Sequence, residues 1–175
     1  VIQQDRVSRP EAPIFTLGLG CERGAPVDEV IALAEQALRY AGIDCRAVAC
    51  IATLDVRLSE PAIVAAALYF SVPLKVFPVA VLEAETPRLK TPSNLVFAIT
   101  GCHGVAEAAA LAAAGETDDL VVPKLKSAHA TAAVAGCFVE SNQTVAEFPS
   151  MNDSGSSHPE SIARHMPPVV AEALA

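Results

Sequence analysis

The chain is short of aromatic rings and of charge. It has no Trp, and aromatic residues make up only 5% of its 175 positions. Charged residues account for 18%, below the usual quarter. A core must therefore be made of small and branched aliphatics in close packing. No apolar run approaches the ~18 residues of a membrane span, and the first 13 residues lack the apolar stretch of a secretory signal. A cytoplasmic protein with no membrane partner is the expectation. Basic residues are also scarce, 12 against 20 acidic ones, for a net charge of −8. That argues against nucleic-acid binding through a generic basic surface. The five cysteines (Cys21, Cys45, Cys50, Cys102 and Cys137) form no C-x-x-C pair and have no His at zinc-finger spacing. Reduced thiols, no metal site and no cofactor are expected.

What is plentiful is alanine, 33 residues within an apolar total of 52%. The length suits one compact domain with a sizeable core. Collagen, coiled coil and wholesale disorder are excluded. The charge is uneven: residues 1–140 carry 11 basic and 16 acidic groups, and residues 141–175 carry 1 and 4. Beyond about residue 140 Ser, Asn, Gln, Pro, Met and His dominate. The reading is an N-terminal extension over 1–12, one domain over 13–140 and a flexible tail over 141–175, of which 141–168 is dispensable for folding and ligand binding.

Ile14–Gly20 reads as a strand entering a glycine turn. Pro26 opens a helix with Asp28 and Glu29 in its first turn, where carboxylates suit the dipole, and Gly42 ends it. Arg46–Thr53 is a second strand. Ser59 is placed as the N-cap of a helix running through Ile63–Phe70. Leu74–Phe77 is a short strand, Glu83–Asn94 a polar connection, and Leu95–Ile99 a further strand broken by Gly101. Val105–Ala114 is an alanine-rich helix closed by Gly115, followed by strands at Leu120–Val122 and His129–Cys137. Strands alternating with helices argue an α/β fold, a three-layer sandwich with a mixed, mostly parallel sheet flanked by helices.

Three loops share one design, in which a strand is followed by small residues and a helix N-terminus. They are Gly18-Leu19-Gly20-Cys21-Glu22-Arg23-Gly24, Thr53-Leu54-Asp55-Val56-Arg57-Leu58-Ser59-Glu60 and Thr100-Gly101-Cys102-His103-Gly104. Such loops gather at one edge of an open α/β sheet, where ligands bind. Helix N-termini supply partial positive charge, and Arg23 and Arg57 add guanidinium forks that match carboxylate or phosphate. The bland alternative is that the glycines only make turns and the arginines only solvate the rim. The first loop is not a dinucleotide fingerprint, because its third glycine falls one residue late, at Gly24. Lys124 and Lys126 point to one side of an extended segment. They either flank an anion or blunt a sheet edge.

Among acid–base candidates (Asp55, Glu60, Glu107, Glu22 and His103), Glu107 is the most suggestive. It lies in the first turn of a helix that is otherwise nearly all apolar, as a cap or as a buried base. Cys21 and Cys102 each follow a glycine near a helix start, where a thiolate is stabilised, but no His partner is fixed by spacing. Thr131 opens the last strand and is explained by strand propensity alone.

The loops, together with Gly104-Val105-Ala106-Glu107-Ala108-Ala109-Ala110-Leu111, Lys124-x-Lys126 and Ala130-Thr131-x-Ala133, occur in an order that resembles the CobE family of cobalamin biosynthesis proteins. That family is similar to the C-terminal domain of CbiG, the cobalt-precorrin-5A hydrolase. The resemblance covers residues 13–139. It implies a mixed α/β domain acting on precorrin or corrinoid intermediates, in contact with other enzymes of the pathway. Two departures stand out: Arg57 occupies a position where the family often has Lys, and nothing after residue 140 matches. Precorrins carry acetate and propionate carboxylates around an apolar ring, which suits a cationic loop cluster. The site so expected holds ligand through Gly20, Cys21, Arg23, Gly24, Thr53, Arg57, Gly101, His103, Gly104, Lys124 and Lys126, with Glu107 or Asp55 as acid–base group. Three functions stay open: a step of hydrolysis or elimination on the ring, a carrier that passes the intermediate on, or a nucleotide or sugar-phosphate enzyme using the same loops.

Overall fold

The structure, a computed structural model, describes residues 14–137. The expected extension over 1–12 and tail over 141–175 lie outside the described residues. Five strands form one sheet: β1 (Phe15–Cys21), β2 (Val48–Leu54), β3 (Leu74–Phe77), β4 (Asp119–Lys126) and β5 (Ala130–Gly136), in the order β3-β2-β1-β5-β4. β1 pairs parallel with β2 and β2 with β3, while β5 runs antiparallel to both β1 and β4. The sandwich is α/β with a mixed sheet, and its pairings divide evenly between the two senses.

Alternation along β1 decides what covers each face. Leu17 and Leu19 point into a core shared with α1 (Val27–Tyr40) and α2 (Pro61–Phe70), where Val30, Leu33, Ala34, Ile63 and Ala66 are buried. Thr16, Gly18 and Gly20 point the other way, onto α5 (Val105–Ala114). A Cβ on Gly18 would lie 1.9 Å from the Ala106 carbonyl oxygen. The Thr16 hydroxyl donates to the Ala110 carbonyl at 2.7 Å. The helix rests almost directly on the strand, and only a helix of alanines above a strand with glycines allows that approach. α3 (Val79–Ala84) adds buried Leu82 to this second layer.

Four local expectations are corrected. Leu95–Ile99 is not a strand but the body of α4 (Asn94–Thr100). The Ser93 hydroxyl caps it by accepting from Val96 N–H at 3.3 Å, and Gly101 ends it at φ +81°. A short apolar run is ambiguous between helix and strand, and here the two caps decide. Ser59 is not an N-cap. Asp55–Arg57 forms a 3-10 turn, and α2 begins at Pro61 with Glu60 as its cap residue. The segment expected as a polar connection contains the end of α3 and another 3-10 turn, Thr86–Arg88. Lys124 and Lys126, expected just past a strand, lie within β4, an edge strand whose register shifts on both sides of Val122. The edge position also tolerates Pro123.

Candidate functional site

β1 and β2 both end at the same side of the sheet, where the chain turns out toward α1 and α2. A cleft of about 270 Å³ opens there. Gly20, Cys21 and Glu22 from the end of β1 form part of its wall, with Arg57 from the turn after β2. Gly104 and Val105 bring the start of α5, and Val96, Ile99 and Thr100 come from α4. Lys124, Lys126 and the turn Ser127-Ala128-His129, leading into Ala130 and Thr131, complete it. Three cations therefore share the opening with one carboxylate, Glu22, in a space with an apolar side.

Two of the cations have definite partners. Lys124 Nζ donates to the Thr91 carbonyl at 2.8 Å, a neutral acceptor that fixes the ammonium without cancelling its charge. Arg57 Nη1 lies 4.0 Å from Glu60 Oε2, and Glu60 Oε1 accepts from Gly24 N–H at 2.8 Å. Glu60 thus ties the first loop to the second. Glu107, with 1% of its surface exposed, is the buried anchor of the other side. Its Oε2 accepts from Lys90 N–H and Thr91 N–H, both at 3.0 Å. Its Oε1 accepts from the Thr91 hydroxyl at 2.9 Å and from Lys124 N–H at 2.8 Å. Four donors saturate the carboxylate, and they fix the loop at 90–91 and β4 at the very residue that presents Lys124.

Of the sequence-predicted residues, Gly20, Cys21, Arg57, Gly104, Lys124 and Lys126 line the cleft. The others are placed elsewhere. Arg23 stands exposed in the first turn, and Gly24 supports Glu60. Thr53 is buried and donates to the Leu19 carbonyl at 2.7 Å, a bond between neighbouring strands. Gly101 ends α4. His103 is bound through Nδ1 to Glu83 Oε1 at 2.9 Å and stacks on Phe97 with centroids 4.5 Å apart. That bond holds the Glu83 carboxyl below its ordinary range. Asp55 is exposed and accepts from the next N–H, that of Val56, at 2.7 Å. Cys21 is no thiolate: burial, and then the nearby Glu60, push its thiol up to about 11 against the pull of Arg57.

Sequence reasoning missed the α4 wall, because it read that segment as a strand. It also missed Ser127 and His129. His129 N–H donates to Glu29 Oε1 at 2.7 Å, and its Nδ1 lies 2.9 Å from Glu29 Oε2. These residues are a hundred positions apart, and no local signal joins them. No group of three or more His, Cys, Asp or Glu side chains among the described residues is placed to hold a metal ion.

Fold and cleft together describe a mixed α/β sandwich domain with a cation-lined opening at the carboxyl ends of its first two strands. The model of the family described as Cobalamin synthesis G C-terminus matches residues 15–135, and the chain belongs to that family. It is 58% identical over 122 residues to Protein CobE of a Sinorhizobium species, covering 70% of this chain and 79% of that protein. It is 26% identical to the cobalt-precorrin-5A hydrolase of Priestia megaterium, covering 77% of this chain but only 35% of the hydrolase. Among solved structures it is similar to CobE from the cobalamin biosynthetic pathway, with a TM-score of 0.69 and 32% identity over 76% of this chain and 96% of that one. A cobalamin biosynthesis protein from Agrobacterium tumefaciens matches with a TM-score of 0.51 and 32% identity, over 70% and 97% of the two chains. The chain takes part in cobalamin biosynthesis.

Proposed function

We propose that the cleft binds a polycarboxylate precorrin or corrinoid intermediate by its edge, to hold it and pass it to another enzyme of the pathway. The observation that carries this reading is the convergence of Arg57, Lys124 and Lys126 on one opening beside an apolar wall. Ring carboxylates pair with the cations, and the ring's apolar face lies toward α4. That helix buries none of its residues, and its Leu95 and Ile99 are 72% and 74% exposed, a strongly apolar surface beside the charges. Holding is favoured over hydrolysis by the state of Glu107 and Asp55, the two carboxylates expected to serve as the acid–base group. Glu107 is saturated by its own scaffold, and Asp55 is outside the cleft.

The test is a spectroscopic titration with cobyrinic acid and with its methyl ester, which keeps the ring and removes the charge. The acid should bind, and the ester should bind far more weakly. A charge-assisted hydrogen bond is worth roughly 1.5–3 kcal/mol, so Arg57→Ala and Lys124→Ala should each lose about tenfold to a hundredfold in affinity. Affinity should fall as salt rises. Equal binding of acid and ester, or normal binding by both variants, refutes the reading. Mass spectrometry of pathway intermediates after incubation would reveal conversion if the protein is an enzyme. Stabilisation by phosphate ligands without pigment binding would point to a nucleotide or sugar-phosphate site.

A further inference from the structure

The cleft contains one titratable group that the cation cluster does not explain. His129 sits in the turn between β4 and β5, on the cleft wall, with its side chain about half exposed. Its Nδ1 and its backbone N–H are both committed to the two oxygens of Glu29, in the first turn of α1. The turn is braced further: Ser127 N–H donates to the Ala130 carbonyl at 2.9 Å, and Glu22 N–H donates to the His129 carbonyl at 3.0 Å. The imidazole is therefore held by a carboxylate, with Nε2 as the ring nitrogen that gains and loses a proton.

We infer that His129, positioned by Glu29, is a proton-gated fourth cation of the cleft: as imidazolium it pairs through Nε2 with a carboxylate of the bound ring, and on losing that proton it lets the carboxylate go. The inference rests on the reading of the cleft given above and adds a release mechanism to it. The other charged and titratable groups of the cleft wall are Arg57, Lys124, Lys126, Glu22 and Cys21. Glu29, held at about 2 by hydrogen bonds from Ser127 and His129, stays ionised through the neutral range. The Cys21 thiol, pushed up to about 11, stays neutral. Glu29 raises the His129 pKa above its ordinary value, so protonation and deprotonation fall within reach of physiological pH.

The experiment is titration of the full chain with cobyrinic acid from pH 6 to 9, beside an NMR titration of the His129 ring without ligand. Wild-type affinity should fall about tenfold across this range, the loss of one charge-assisted contact, with its midpoint at the His129 pKa. In His129→Gln the fall should vanish and affinity should stay at the high-pH level. In Glu29→Gln the ring pKa and the affinity midpoint should move down together. An unchanged pH profile in His129→Gln overturns the inference and leaves the cleft reading intact. So does a ring pKa in Glu29→Gln that moves without the affinity midpoint. No binding by the wild-type protein at any pH overturns both.

Discussion

Glu107 offers a sharp test of whether the buried support behind the cleft is scaffold or catalyst. Replacing it with Ala removes the acceptor for three backbone N–H groups, those of Lys90, Thr91 and Lys124, and for the Thr91 hydroxyl. The hydroxyl can turn to another acceptor, but the N–H groups cannot turn. Each unpaired buried donor costs about 1–3 kcal/mol, and water entering the vacated space recovers part of that. The expected loss is about 3–5 kcal/mol, the range for removing one member of a buried charged network. Gln keeps the volume but offers only one acceptor oxygen. With that oxygen toward Lys90 and Thr91, the Thr91 hydroxyl can accept from the amide, and the single conflict is the amide against Lys124 N–H. The cost should fall to about 1–3 kcal/mol. Urea unfolding followed by circular dichroism reads both values, and thermal melting should drop by roughly 3–6 °C per kcal/mol in a domain of this size. Because the conflict lies at Lys124, Glu107→Gln should also weaken corrinoid binding, although Glu107 does not line the cleft. A Gln variant within about 0.5 kcal/mol of wild type would refute the scaffold argument. If that variant also lost a measured turnover, Glu107 would be an acid–base group after all.

Gly18→Ala drives a methyl group into the α5 backbone and should cost about 3 kcal/mol or more, the upper end of overpacking. Gly24→Ala, which meets nothing within 4 Å but sits at φ +70°, should cost only about 1–2 kcal/mol; equal effects in urea would contradict the packing account. Glu29 is held at about 2, below the ordinary carboxyl value of 4.5, by hydrogen bonds from Ser127 and His129. The unfolded chain therefore takes up this proton first. Stability from Glu29 is present above about pH 4.5 and is lost as pH falls toward 2, so Glu29→Gln should flatten the acid limb of the stability profile, and an unaltered limb would count against the contact. With its thiol pushed up to about 11, Cys21 should be about one-thousandth thiolate at pH 8; rapid, site-specific alkylation of Cys21 by iodoacetamide, read by peptide mass spectrometry, would disprove that environment.

The sequence by itself determined the α/β class, the positions of most elements and the family. Pro and Gly punctuation and motif order are local signals, and the Pro26 and Gly42 bounds of α1 and the alanine run of α5 could be read directly. It also marked Arg23, Arg57, Lys124 and Lys126 as cations with a common purpose, and of these Arg23 lies outside the cleft lining. It could not tell that Leu95–Ile99 is helical, because five apolar residues satisfy either period and only the caps at Ser93 and Gly101 break the tie. Nor could it distinguish a glycine that frees the backbone for a ligand from one that admits a helix, as Gly18 does beneath α5. The tertiary structure alone decided the long-range partnerships. Glu107 was legible as an unusual residue, but its role depended on where residues 90, 91 and 124 come to lie. The Glu29–His129 pair had no sequence signal at all, since the two meet only because β5 runs antiparallel to β1 and returns the turn before it to the start of α1. Periodicity encodes which face of an element is buried. Which side chains meet across a hundred residues follows from strand order and direction, which the sheet fixes only when it assembles.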